Sequence, residues 1–264
     1  MGTTISIHIL TRPAASEIDC DPVVSDAVAD CFADLRDVDR VFSTYRGDSD
    51  ISQLRRGERT AAELDPRVVQ VATACDDWER ATEGCFSAHW RGWFDPTGYV
   101  KGWAVETAAR RRLAPLVSRA DVVAAGINAG GDLQLFSSDA ADWSWRVGIA
   151  DPARPGTIVA TIDVKNGAVA TSGTAERGEH IIDPRTGLPA RSVLSATVIA
   201  DGLTAADVWA TTAAVAGIDD LAWIAGAGTR TGVVIGADGT VRRWLGSTEI
   251  NTRTASVEAR AALR

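Results

Sequence analysis

No stretch of this 264-residue chain approaches eighteen consecutive apolar residues, so no helical membrane span is expected. The first residues, Met1 to Leu10, alternate in character and lack the basic segment and apolar run of a secretory leader, so a cytoplasmic location is the expectation. Cysteine is scarce. Cys20, Cys31, Cys75 and Cys85 form no C-x-x-C pair and no zinc-site spacing, and are expected to be reduced and partly buried. Basic clusters are missing apart from Arg110 to Arg112, which fall in a predicted helix and read as a solvated face. With a net charge of −8 and an isoelectric point near 4.9, the chain carries no nucleic-acid footprint. There is no Pro/Ser/Gly-rich linker and no internal repeat, so a single domain over residues 1–264 is expected, with a polar tail from Gly246 that frays.

The composition, 45% hydrophobic and 23% charged, is that of a globular protein with a sizeable core. Ile5, Ile7 and Ile9 alternate with polar residues, which is the period of a half-buried strand and puts His8 on the solvent side. From Val23 to Phe42 apolar residues recur at helical spacing. Asp65 and Pro66 are an N-cap and first-turn proline for a second helix stopped by Gly84. Asp95 to Gly102 reads as a glycine-bearing turn feeding a third helix, with free amides and Lys101 suited to an anion. Strands are predicted at 122–127, 133–136, 143–150, 158–164, 168–170 and 193–200, the later ones as a meander. A hairpin across Asp238 and Gly239 follows.

The densest chemistry lies between Thr171 and Pro189. These nineteen residues hold four hydroxyls, three carboxylates, three guanidinium or imidazole groups and three glycines. Gly173, Gly178 and Gly187, with Pro184 and Pro189, predict a turn-rich loop at the end of a strand. Either it is a well-made surface turn or it is a site containing His180. A free imidazole titrates near about 6.5, suited to proton transfer at neutral pH. Neither His8 nor His89 lies in a polar cluster. Beyond the loop, Asp207 and Thr211 are four apart on a predicted helix and share a face. They can offer a carboxylate and a hydroxyl to a hard cation. Equally, Thr204 and Asp207 resemble a capping box, with Thr211 bonding back to the helix carbonyl. Tyr45, one of two tyrosines, either edges a pocket or packs.

In order along the chain, Met1-Gly-Thr3, Ser43-Thr-Tyr-Arg46, Asp95 to Gly102, Asn128-Ala-Gly-Gly-Asp132, Thr171-Ser-Gly173, His180-Ile-Ile-Asp-Pro184 with Thr186-Gly187, and Ala206-Asp207 with Thr211 together resemble the ApbE family of flavin transferases, which move FMN from FAD onto a protein. The resemblance implies an α+β fold, mixed or antiparallel sheets flanked by helices, with FAD bound in a cleft and Mg²⁺ on its diphosphate. By the same carry-over, Asp207, Thr211 and the backbone carbonyl of Val100, or alternatively Gly98, hold the metal, and His180 is catalytic. Met1, Tyr45, Lys101, Gly130, Gly131, Asp132 and Thr171 line the FAD site. The implied partner is an acceptor protein with a Thr or Ser hydroxyl. FAD hydrolysis to FMN and AMP, or flavin delivery without catalysis, are the competing readings.

Overall fold

The computed structural model describes residues 2–12, 21–174, 178 and 181–250. The alternating isoleucines form β1 (Ile5–Thr11), with His8 exposed. Helix α1 (Pro22–Phe42) starts at an Asp21 cap and buries Val24, Cys31, Leu35, Val38 and Phe42 along one stripe. A short α2 (Asp50–Arg55) is capped by Ser49. Helix α3 (Pro66–Ala81) begins as the sequence predicts, with the Asp65 carboxylate accepting from Arg67 N. Gly84, at φ 78°, turns the chain away just beyond it.

Helix α4 (Thr97–Arg112) starts earlier than the sequence suggests. The N-cap residue is Pro96; just before it, Asp95 Oδ1 accepts from Thr97 N at 3.2 Å and from Thr97 Oγ1 at 2.7 Å, and the residues from Thr97 to Gly102 are helical. The arginine run is likewise no plain solvated face. Arg112 reaches Asp30 and Asp34 on α1, and Arg110 bonds Glu106 and the Asp201 carbonyl.

Strands β2 (Val122–Ala129) and β3 (Asp132–Ser137) are joined by Gly130 and Gly131. Both have positive φ, 65° and 98°, as a two-residue hairpin turn needs. The predicted meander then divides. β4 (Trp145–Ala150) and β5 (Ile158–Val164) pair only with each other, while β6 (Gly167–Ser172) returns to pair with β3. A two-strand hairpin β7 (Ile182–Asp183) and β8 (Leu188–Pro189) precedes β9 (Val193–Ala200), α5 (Leu203–Ala216) and α6 (Ile224–Ala227). The described chain ends in β10 (Thr231–Gly236), β11 (Val241–Leu245) and β12 (Thr248–Ile250), so the expected tail opens with a paired strand, and its residues 251–264 lie outside the described residues.

The main sheet has the order β1-β2-β3-β6-β9-β10-β11-β12, antiparallel throughout. Its two faces are sorted by the period of two. Ala168, Ala170, Ala196 and Val198 face α5 and belong to the larger core, which α1 and α4 share. Val169, Ile199 and Leu135 face the other way, under Val147, Ile162 and Val164 of the β4–β5 hairpin. That apolar face of the hairpin explains why it lies over the sheet instead of extending it. The alanines of β6 and β9, with Ala206, Ala210 and Ala213 on α5, let helix and sheet approach closely. Larger side chains there would cost about 1–3 kcal/mol of overpacking each. Among the described residues, no helix is long and apolar enough to cross a membrane, and Cys31, Cys75 and Cys85 are free and buried.

Candidate functional site

The N-terminal half of α4, the start of β3, the end of β6 and the first turns of α5 converge on one point. Lys101 projects from α4 between two buried carboxylates. Its Nζ pairs with Asp132 at the start of β3 and lies 3.4 Å from Asp207 Oδ1 on α5. Burial alone pulls the Lys101 ammonium down, but the Asp207 and Asp132 charges outweigh it and hold the pKa above the usual lysine range. For Asp207 burial wins: only 4% exposed, it is pushed up to about 6, with Asp132 acting in the same direction and Lys101 against.

Asp207 Oδ2 is buried and makes no hydrogen bond. An ionised oxygen in that state is costly, because its desolvation is not repaid. One helical turn on, Thr211 Oγ1 lies 3.1 Å from Ser172 Oγ at the end of β6. The sequence left a capping box and a back-bond open for this helix, and neither is what forms. Thr204 Oγ1 donates to Glu106 on α4, and it is Thr212, not Thr211, that bonds back along the helix, to Val208 O. The carboxylate and hydroxyl of Asp207 and Thr211 are therefore left for a partner outside the helix. An orphaned carboxylate oxygen beside a hydroxyl suits a hard cation with oxygen preference. Val100 and Gly98 border the same space. Within an α-helix each carbonyl uses one lone pair for the helix bond, which leaves a second. No group of three His, Cys, Asp or Glu able to hold a metal occurs among the described residues. A site of one Asp, one Thr and a carbonyl has no such group.

The end of β6 is fixed from both sides. Thr171 N donates to Asp132 Oδ1 at 3.0 Å, and Thr171 Oγ1 lies 2.9 Å from Thr197 Oγ1 on β9. Two clefts, each of about 450 Å³, meet here and share Lys101 and Ser172. The first lies on the helix side, among Phe42, Tyr45, Phe86, Val100, Asp207 and Thr211. The second lies under the β4–β5 hairpin, among Gly131, Asp132, Ile149, Thr171, Ser195 and Thr197. At Gly131 a side chain would meet nothing within 4 Å, so the turn is open to the cleft.

The structure thus brings together Lys101, Gly130, Gly131, Asp132, Thr171, Asp207 and Thr211, with Val100 at the edge. Tyr45 stands at the mouth of the first cleft and is 90% exposed, which rules out the packing role. Met1 and His180 lie outside the described residues. Sequence reasoning missed Ser172, Thr197 and Glu106. For Ser172 a signal existed, since it sits beside Thr171 and alternation sends it to the opposite face; nothing local singled out Glu106.

The model of the ApbE family matches residues 1–92 and 88–234. A "FAD:protein FMN transferase" of Rhodobacter capsulatus is 36% identical over 179 residues, 62% of this chain and 31% of that protein, so the match spans less than a third of the relative's length. Among solved structures, the ApbE protein from Thermotoga maritima superposes with a TM-score of 0.73 at 21% identity, over 90% of this chain and 97% of that one. The flavin transferase ApbE from Vibrio cholerae gives a TM-score of 0.68 at 21% identity, over 94% of each. At that identity these likenesses show the fold, and it is the α+β arrangement of helices and antiparallel sheets expected from the motifs.

Proposed function

This chain belongs to the ApbE family, and on that footing we propose that it transfers FMN from FAD to a Thr or Ser hydroxyl of an acceptor protein, with release of AMP and with Mg²⁺ as the cation. The observation that carries the reading is the unpartnered Asp207 Oδ2 beside Thr211 and Lys101 where two clefts meet. FAD is itself bipartite, with a flavin half and an adenosine half joined through an anionic diphosphate. The shared point supplies cationic Lys101 and the Asp207–Thr211 pair for the diphosphate, and a cleft on each side for one half.

Asp207, Thr211 and a carbonyl of the first turns of α4 would hold Mg²⁺. When bound, it neutralises the diphosphate and stabilises charge growing on the phosphoryl oxygens. Lys101, held charged by its two carboxylates, offers the same phosphates a fixed ammonium. The acceptor hydroxyl oxygen bonds to the FMN-side phosphorus, the bond from that phosphorus to the bridging oxygen breaks, and AMP leaves with the electron pair. His180 takes the proton of the hydroxyl, which is a poor nucleophile while it keeps it. Asp132 and Thr171 hold the walls of the second cleft in place through the Asp132 bond to the Thr171 amide.

The test is incubation of the protein with FAD, Mg²⁺ and an extract of its own host, followed by denaturing electrophoresis. A fluorescent band that requires Mg²⁺ and is lost in His180→Ala is the expected result. Release of free FMN and AMP without a band would replace transfer by hydrolysis, and intact FAD would leave only binding.

A further inference from the structure

Glu106 lies on α4, but two of its three hydrogen bonds are made to α5. Glu106 Oε2 accepts from Thr204 N at 2.9 Å and from Thr204 Oγ1 at 2.7 Å, while Oε1 accepts from Arg110 Nε at 2.7 Å. Arg110 Nη2 donates in turn to the carbonyl of Asp201, at 2.9 Å, just before α5 begins. The N-terminal amides of a helix have no partner within the helix, and the N-cap residue of α5 is Gly202, which has no side chain to supply one. The first amides of α5 are therefore capped from outside the helix, Leu203 N by Gln134 Oε1 on β3 at 2.9 Å and Thr204 N by Glu106 on α4.

The glycine shows what the outside cap is for. Gly202 has φ −136°, extended backbone open to any residue, so its conformation does not call for glycine. What a side chain would meet is Glu106: a Cβ at position 202 would come within 2.6 Å of Glu106 Cδ. A Ser or Asp at 202 would cap the helix locally. It would also displace Glu106, which together with Arg110 ties the start of α5 to α4.

That tie has a chemical address. Lys101 is five residues before Glu106 on α4, and Asp207 and Thr211 are three and seven residues after Thr204 on α5. The helices touch between these points at Gly102, where a Cβ would stand 3.1 Å from Asp207 Cβ. Rotation and slide of α5 against α4 are opposed by the Glu106 bonds to Thr204, alongside Arg110 on the Asp201 carbonyl and Gln134 on Leu203 N. We propose that Glu106 is a positioning residue that sets the oxygens of Asp207 and Thr211 relative to Lys101, and so sets the affinity of the site for a divalent cation. This rests on the reading of Asp207 and Thr211 as the metal pair.

The experiment is a titration with Mn²⁺, followed by loss of its free electron paramagnetic resonance signal, on the full chain with and without FAD. Wild type, Asp207→Ala, Glu106→Gln, Glu106→Ala and Gly202→Ala are compared, with melting temperatures alongside. Removing a group that orients metal ligands weakens affinity by about 10–100-fold. Glu106→Ala and Gly202→Ala should both fall in that range, although Gly202→Ala leaves Glu106 in the chain. Glu106→Gln keeps an acceptor for the Thr204 amide and should recover most of the affinity. If Glu106→Ala does not fold, Gly202→Ala and Glu106→Gln decide. Lowered melting temperatures with wild-type Mn²⁺ affinity would reduce Glu106 to a helix cap and overturn the inference. Asp207→Ala binding Mn²⁺ as tightly as wild type would instead overturn the metal reading, and the inference with it.

Discussion

A Cβ on Gly102 would stand 3.1 Å from Asp207 Cβ and 3.2 Å from Asp207 Oδ2, with the Leu203 carbonyl at 3.0 Å. The helix bearing Lys101 and the helix bearing Asp207 thus touch where one has no side chain. Gly102→Ala sets two effects against each other. Alanine favours the helix by about 1 kcal/mol over glycine. Overpacking against a backbone carbonyl costs about 1–3 kcal/mol. The expected outcome is a modest fall in melting temperature with a loss of turnover of about tenfold or more, since α5 must move to relieve the contact. Calorimetry and Mg²⁺-dependent flavin transfer on the same preparation would check it, and wild-type turnover would mean that the crossing tolerates the shift.

Asp207→Ala removes the orphaned oxygen. Transfer should fall by at least about a hundredfold, the scale on which a metal's charge stabilisation is lost. Stability should hold or rise, because an incompletely satisfied buried carboxylate disappears. A single-turnover assay with a melting curve separates the two, and a variant that melts far below wild type would contradict the second half.

Lys101→Met leaves Asp132 and Asp207 facing each other without their shared cation. Breaking a buried pair by removing one partner costs about 3–5 kcal/mol. A loss of that size in denaturant midpoint is expected, together with a raised KM for FAD. Lys101→Met combined with Asp132→Asn should recover stability but not KM, which distinguishes repulsion from lost diphosphate binding.

Away from the cleft, Asp65 gives a pH dependence of defined sign. The Arg67 guanidinium, bonded at 2.9 and 2.7 Å, holds its carboxyl down from 3.8 to about 2. A carboxylate with a depressed folded pKa stabilises the fold above its unfolded value and loses that contribution as pH falls through the folded one. Urea midpoints of wild type should therefore decline between about pH 4 and pH 2 more steeply than those of Asp65→Asn. Parallel curves would show that the pair contributes nothing to α3.

The local signals were readable. Apolar period gave α1, the Asp65 cap gave α3, period two gave the cores of β2 and β3, and the family resemblance named Lys101, Asp132, Thr171, Asp207 and Thr211 together. What the sequence did not reveal depends on partners far along the chain. Thr204 carries the same hydroxyl whether it caps its own helix or bonds Glu106, 98 residues away. The departure of β4 and β5 from the meander turns on which apolar face covers Val169 and Ile199, a choice of packing partner that alternation alone leaves open. The early start of α4 has Pro96 as its N-cap, with Asp95 bonding Thr97 from outside the helix, so the glycine-bearing stretch that reads as a turn is already helical.

Thr171 and Ser172 are neighbours, yet one bonds Thr197 beneath the hairpin and the other bonds Thr211 on the helix side. The last two residues of β6 therefore act as a partition between two rooms, each furnishing one hydroxyl to its own side. Deleting or inserting a single residue in β6 would exchange the rooms, sending each hydroxyl through the wall, whereas a change of two residues would preserve the sides. The loops around this cleft are free to lengthen or shorten over time. This strand can change only by even steps.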